Sequence, residues 1–307
     1  MVSSTPKLPR EAFTSCPELP WTRVGSGKVR DLFSKGDLLL LVASDRVSAF
    51  DVVLSEGIPG KGVLLTAIAL EGFRRAAAVV PHHLDPDSES ILSPLIRQFP
   101  ALEGRCMVGR RLSIIPVECV VRGHLAGGGW KSYRESGCVQ GIRLPAGLRE
   151  GDELPAPIFT PTTKAAAGHD KPLTPDEAVA LMGGPVFEEL RSVSLSVFET
   201  GRKWGRDAGL ILADTKFEFG RDAGGRLVLA DEVFTPDSSR WWDAATFTPG
   251  KSPPGFDKQI VRDYLASVAG WNYQAPAPSL PESVVRETVA RYIECWRRLS
   301  GAGAGLH

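Results

Sequence analysis

Neither sign of charge is in excess in this chain of 307 residues: lysine plus arginine and aspartate plus glutamate each number 36. A balanced surface offers no overall field to nucleic acid or to an anionic membrane, so any anion has to be bound by a local group of side chains. Long apolar runs are missing too. The run Leu38 to Ala43 is far too short to cross a bilayer, and the first residues lack the charged, apolar and small-residue order of a signal sequence. Cysteine is scarce: Cys16, Cys106, Cys119, Cys138 and Cys295 are odd in number and form no C-x-x-C pair. That speaks against a disulfide framework and against a zinc site. The expectation is a cytoplasmic protein without nucleic-acid or membrane partners, a monomer or small homo-oligomer.

What is present is an ordinary globular composition, 43% hydrophobic and 23% charged, long enough for two cores. β-like segments at Val29–Phe33 and Leu38–Ala43 are joined by the turn residues 34–37, which predicts a hairpin entered through a glycine loop. "GVLLTAIALEGFRRAAA" has helical spacing, and "RRLSIIPVECVVRG" reads as strand, break at Pro116, and strand, a plausible crossing between domains. The domains expected are therefore 1–117, β-rich, and 118–307. From Arg143 to Pro175 proline, glycine and polar residues predict an ordered functional loop. A helix capped by Thr174 and stopped by Gly183 follows, then a longer helix over Val186–Arg206, the strand "GLILAD", a turn at "RDAGG" and the partner strand "GRLVLADEVF". The segment Glu282–Leu299 reads as an amphipathic helix.

Two stretches carry charge where strands look buried: "LADTKFEFG" and "LADEVFTPDSSRWW". Desolvating carboxylates costs several kcal/mol each without a partner, so a cation is expected between these strands. Asp214, Lys216 and Glu218 share one strand face, and the turn at 221–225 returns Asp231 and Glu232 alongside them. A surface hairpin with cross-strand ion pairs is one reading. Oxygen ligands for Mg²⁺ completed by water and nucleotide phosphates are the other. The loop "GSGKVR" fits neither G-x-x-x-x-G-K-[ST] nor G-x-G-x-x-G. It is a plain turn, or, with Lys28 and Arg30 at i and i+2 on one strand face, a phosphate clamp.

The segments "GKVRDLF", "ASDRVSAFD", "IPVECVVRGHLAGGGWKSY", "FTPTTKAAAGHD", "LADTKFEFG" and "DEVFTPDSSRWW", in order from about residue 20 to 300 with "DKQIVRDYL", resemble the SAICAR synthetase (phosphoribosylaminoimidazole-succinocarboxamide synthase) family in its longer, yeast-like form. The resemblance implies an α+β, ATP-grasp-like fold, with ATP between a smaller N-terminal β-rich domain and a larger C-terminal one. It implies ATP-dependent ligation of L-aspartate to carboxyaminoimidazole ribonucleotide through an acyl phosphate, with release of ADP and phosphate.

By the same resemblance Gly27, Lys28, Val29 and Arg30 hold the nucleotide phosphates, Lys216 reaches the transferring phosphoryl, Glu218 and Asp231 bind Mg²⁺, and Glu118 meets the adenine edge. Arg122 and Arg240 are implied at the ribonucleotide, their guanidinium forks suiting phosphate or carboxylate, with Asp237, Ser238 and Ser239 in the same pocket. Asp45, Arg46, Ser48 and Asp51 form a polar cluster that faces a reacting carboxylate or is a loop held by its own hydrogen bonds. Lys164, His169 and Asp170 are expected near substrate, His169 as a hydrogen-bond donor. Where relatives commonly have a serine that contacts the ribonucleotide phosphate, this chain has Gly128. The amides of Gly128 and Gly129, at the start of a helix, are the expected replacement. Another ATP-dependent ligase or kinase, or a nucleotide-binding protein without turnover, would share the glycine loop and the carboxylates.

Overall fold

Alternating apolar residues after the glycine loop build an antiparallel sheet. In the computed structural model, which describes residues 6–164, 170–251, 253–256 and 258–301, the first half contains β1 (Thr22–Ser26), β2 (Arg30–Lys35), β3 (Leu38–Ala43), the hairpin β4 (Arg46–Ala49) and β5 (Val52–Gly57), helices α1 (Lys61–Ala76) and α2 (Ser88–Gln98), and β6 (Cys106–Arg110). The sheet runs β1-β2-β3-β6. The predicted hairpin is there, and its turn uses Gly36 at φ +59°, a conformation glycine adopts without strain. Period-2 alternation splits β3 between two cores. Leu40 and Val42 pack with Phe33, Leu95, Leu102 and Val108 in a smaller core, while Leu41 points into the main one.

The chain passes to a second sheet between β6 and β7 (Ser113–Ile114), ahead of Pro116. There follow β8 (Val117–His124), α3 (Gly127–Ser136), β9 (Cys138–Val139), β10 (Ile142–Arg143), β11 (Glu153–Phe159), β12 (Thr162–Thr163), α4 (Pro175–Met182) and α5 (Gly184–Asp207). Last come β13 (Leu210–Arg221), β14 (Leu227–Ala230), β15 (Ser239–Asp243), α6 (Gln259–Ser267) and α7 (Glu282–Ser300). The sheet order is β11-β8-β13-β14, with β12 on β8 and with β7 and β15 on β13. Its spine is β13, twelve residues long.

The mixed helical and antiparallel architecture is the expected α+β one. Helix α4 starts as predicted, with a capping box between Thr174 and Glu177, and Gly183 closes it at φ +84°. The region 143–175 departs from expectation, because β11 lies inside it. Pro155 and Pro157 hid this strand; they are tolerated because β11 is an edge strand whose register shifts between Glu153 and Ile158. The main core joins Phe73 of α1, Phe198 and Trp204 of α5, Phe217 and Phe219 of β13 and Tyr292 of α7. Each such buried aromatic contributes about 2–3 kcal/mol, which ties α1 to the second sheet although it precedes the crossing in sequence.

Candidate active site

On β13 the alternation puts Phe217 and Phe219 into the core, fully buried, and leaves Asp214, Lys216 and Glu218 on the opposite face. Lys216 Nζ donates to Glu118 Oε1 at 2.7 Å and to Glu218 Oε1 at 3.0 Å. Glu118 reaches it from the neighbouring β8 and takes a second hydrogen bond from Thr162 Oγ1 at 3.2 Å. The other oxygen of Glu218 is held by Lys164. Burial works against the Lys216 charge, but Glu218, Glu118 and Asp231 outweigh it and raise its pKa. For Glu218 burial is likewise outweighed, by Lys216 and Lys164, and the pKa falls to about 2.

The strand β14 stops where Asp231 takes φ +61°, one residue past Ala230, the register partner of Glu218. Arg30, first residue of β2, crosses from the other sheet to pair with Asp231 and, at 2.5 Å, with Glu232. Here the expectation of a cation pair on one strand face is corrected. Lys28 sits in the turn before β2, half exposed and paired with Asp51, whereas Arg30 is largely buried and directed at carboxylates. The turn interrupts the period-2 rule that a continuous strand would obey. Burial raises the Asp231 pKa; Arg30 opposes the shift, and Glu218 and Glu232 reinforce it. Three cations, Arg30, Lys164 and Lys216, thus face four carboxylates, Glu118, Glu218, Asp231 and Glu232.

Beside this cluster a cavity of about 230 Å³ is walled by Leu32, Leu39, Leu41, Leu112 and Ile114, with Lys164, Glu218 and Asp231 at its polar side. Glu118 is placed on Lys216 and Thr162 and is absent from the cavity wall. His83 also lines the cavity, buried, with its pKa pushed down to about 4 mainly by burial, then by His82 and Arg30.

A second constellation is cationic. Arg122 of β8 and Arg240 of β15 converge on one carboxylate, Asp214, with Arg122 Nη1 at 3.3 Å; Arg122 Nε also donates to Thr160 Oγ1 at 3.1 Å. Burial, together with Arg240 and against Asp214, lowers the Arg122 pKa. The N-terminus of α3 abuts both guanidiniums: a Cβ on Gly127 would lie 2.9 Å from Arg240 Nη2, and one on Gly129 3.3 Å from Arg122 Cδ. At Gly128 a Cβ would meet nothing within 4 Å. Ala126 provides no side-chain cap; contrary to expectation the Gly129 N–H is taken, donating to the Ala126 carbonyl at 3.1 Å, which leaves the amides of Gly127 and Gly128 without a hydrogen-bond partner among the described residues.

Other expected residues have structural partners. Asp45 is fully buried, and its carboxylate accepts from Phe13 N at 2.8 Å, Gly62 N at 2.7 Å and Arg105 Nη1 at 3.0 Å. Arg46 spends its guanidinium on the glycine loop and its neighbours. Asp237 pairs with Lys61 at 2.6 Å and accepts from Tyr292 Oη at 2.9 Å. Ser238 packs on Thr235, and Ser239 Oγ lies 2.7 Å from Thr215 Oγ1. His169 lies outside the described residues. Thr160, Thr162 and Lys61 were not expected at these sites; Asp214 was expected on the charged face of this strand with a cation beside it, and it pairs with Arg122 and Arg240. The i, i+2 pair of threonines in "FTPTT" was the available signal for the first two; nothing local marked Lys61.

Buried histidines set a pH dependence. The unfolded chain protonates near pH 6.5, whereas folded His83 resists a proton down to about pH 4; the pKa values of His82 and His124 are lowered by burial as well. Each therefore contributes stability that is lost as pH falls below 6.5, about 2–3 kcal/mol for His83 by pH 4. Below pH 4.5 protonation of the depressed Glu218 adds a further loss. Denaturant titrations should show stability declining between pH 6.5 and 5, and His83→Gln should flatten that slope; an unchanged slope would show that His83 is protonated in the native state.

The SAICAR synthetase family model matches residues 23–278. The chain belongs to the SAICAR synthetase family. It is 48% identical over 282 residues to the phosphoribosylaminoimidazole-succinocarboxamide synthase of Chromobacterium violaceum, covering 91% of this chain and 98% of that one. It is 51% identical over 281 residues to that of Methylibium petroleiphilum, covering 89% and 93%. Among solved structures, the Saccharomyces cerevisiae SAICAR synthase complexed with SAICAR superposes with a TM-score of 0.84 at 35% identity, covering 94% and 98%. The activity of the family is ATP-dependent carbon–nitrogen ligation in purine biosynthesis. Among the described residues no helix is long and apolar enough to cross a membrane.

Proposed function

We propose that the two constellations divide the reaction between them: the Lys216 cluster handles ATP, and the Arg122–Arg240 pair with the N-terminus of α3 binds carboxyaminoimidazole ribonucleotide through its 5′-phosphate. The observation that carries this reading is the arrangement of charge. Two arginines share the single carboxylate of Asp214 beside a helix N-terminus, an excess of positive charge suited to a phosphate dianion. Further along the same face of β13 the balance reverses in favour of carboxylates.

The nucleotide base fits the apolar cavity between Leu32, Leu39, Leu41, Leu112 and Ile114, with its phosphates running towards Gly27–Arg30 and Lys216. A carboxylate is a poor electrophile. Phosphorylating it to an acyl phosphate lets the aspartate amine displace phosphate and form the amide. Lys216 remains an ammonium, so its part is to donate hydrogen bonds to the moving phosphoryl oxygens and not to accept a proton. Glu118, with Thr162 behind it, holds that ammonium in place.

Mg²⁺ fits Glu218 and Asp231. Asp231, at the end of β14, lies one residue past the register partner of Glu218, and both donors are hard carboxylate oxygens. No group of three or more histidine, cysteine or acidic residues able to hold a metal occurs among the described residues, so an ion at Glu218 and Asp231 would take its remaining ligands from water and phosphate oxygens. Bound there, it would neutralise phosphate charge. Asp231→Asn is expected to raise the Mg²⁺ concentration for half-maximal activity about tenfold and to weaken the Mg²⁺-dependent part of ADP binding seen by calorimetry. An unchanged requirement would move the metal elsewhere. The overall assignment is tested by ADP release: sustained turnover should require both the imidazole ribonucleotide and L-aspartate, and release with L-aspartate alone would contradict phosphorylation of the ribonucleotide carboxylate.

A further inference from the structure

The turn between β1 and β2 is held from behind by one side chain. Arg46, at the start of β4, donates from Nη2 to the Gly27 carbonyl at 3.1 Å and from Nε to the Lys28 carbonyl at 3.2 Å. Its Nη1 is anchored on Asp31 Oδ2 at 3.1 Å and on the Thr14 carbonyl at 2.9 Å. Asp31 is almost fully buried, and its other oxygen accepts from Ser26 Oγ at 2.6 Å and Arg23 Nη1 at 3.1 Å. The next carbonyl, of Val29, is taken by Ser44 through its backbone N at 3.0 Å and its Oγ at 2.8 Å. Three successive carbonyls are therefore drawn to one side of the turn.

A trans peptide is planar, and its N–H points opposite to its C=O. Pinning the carbonyls of Gly27 and Lys28 inward thus sends the N–H groups of Lys28 and Val29 outward. Neither has a hydrogen-bond partner among the described residues. Adjacent outward amides form a concavity for an anionic oxygen, and their geometry is useful only if the peptide planes are fixed before the anion arrives.

We propose that Arg46 is a positioning residue for the nucleotide, orienting the Lys28 and Val29 amides towards its phosphates without touching substrate itself. The inference rests on the reading of the glycine loop as the phosphate site. It replaces a direct substrate role for Arg46, whose donors already serve the loop. Lysine cannot reproduce the fork, because a single ammonium cannot span two carbonyls, Thr14 and Asp31 in one plane.

The test compares binding of ADP and adenosine, by calorimetry, to the wild type, Arg46→Lys and Lys28→Ala. Arg46→Lys should weaken ADP about tenfold while adenosine stays within about twofold, because only phosphate contacts are lost. If ADP and adenosine weaken equally, or if ADP is unchanged while Lys28→Ala weakens it, the loop reading stands and the role of Arg46 falls. If neither variant affects ADP, the loop is not the phosphate site and both fall together. A wild-type measurement covers the case in which Arg46→Lys does not fold. The amide resonances of Lys28 and Val29 should shift on adding ADP and stay put with adenosine; no shift with ADP overturns the proposal.

Discussion

Replacing Lys216 by alanine is expected to lower kcat by about a thousandfold while KM for ATP changes no more than about threefold. The side chain is anchored between Glu118 and Glu218, so its ammonium occupies a fixed point on the carboxylate-rich face of β13. On the proposed reading ground-state ATP is held mainly by the apolar cavity and the glycine loop, and those contacts would survive the truncation. Charge that grows on the phosphoryl during transfer does not have that insurance, which confines the loss to turnover. Truncation also leaves Glu118 and Glu218 facing each other with one cation fewer. Lys164 still pairs with Glu218, so a fall in melting temperature of a few degrees is expected with the fold kept. Steady-state kinetics with both substrates varied decide the matter. Unchanged turnover would make Lys216 a structural ion pair.

Gly128→Asp is expected to raise KM for the ribonucleotide about a hundredfold and to leave ATP binding intact. A Cβ at this position has open space around it, so the change brings charge without a clash. An acidic residue in the first turn of α3 suits the helix dipole, and melting should be unchanged or slightly higher. On the proposed reading the new carboxylate would instead compete with the substrate phosphate for Arg122 and Arg240, which already share Asp214. Gly128→Ser separates charge from size: it should bind the ribonucleotide at least as well as the parent, because its hydroxyl enters the same open space. Normal affinity in Gly128→Asp would place the 5′-phosphate elsewhere.

Much of this arrangement was legible in the chain. The period-2 alternation of "LADTKFEFG" put Asp214, Lys216 and Glu218 on one face, because strand geometry forces it. The Thr174 cap, the hairpin at 34–37 and the apolar stripes of α1, α5 and α7 are local signals of the same kind, and the six ordered motifs carried the family. The strand β11 was missed because two prolines outweighed everything else nearby, and only its place at the sheet edge makes them harmless.

Periodicity and composition determined which residues are charged, which are buried and which elements form, since those follow from backbone geometry over a few residues. Tertiary structure alone decided who pairs with whom. It sent Arg30 to Asp231, 201 positions away, gave Asp45 to Arg105 and turned Arg46 onto the glycine loop. A carboxylate in the sequence has many possible cations, and the choice among them depends on separation in space and on burial, which weights each pairing by the water it excludes.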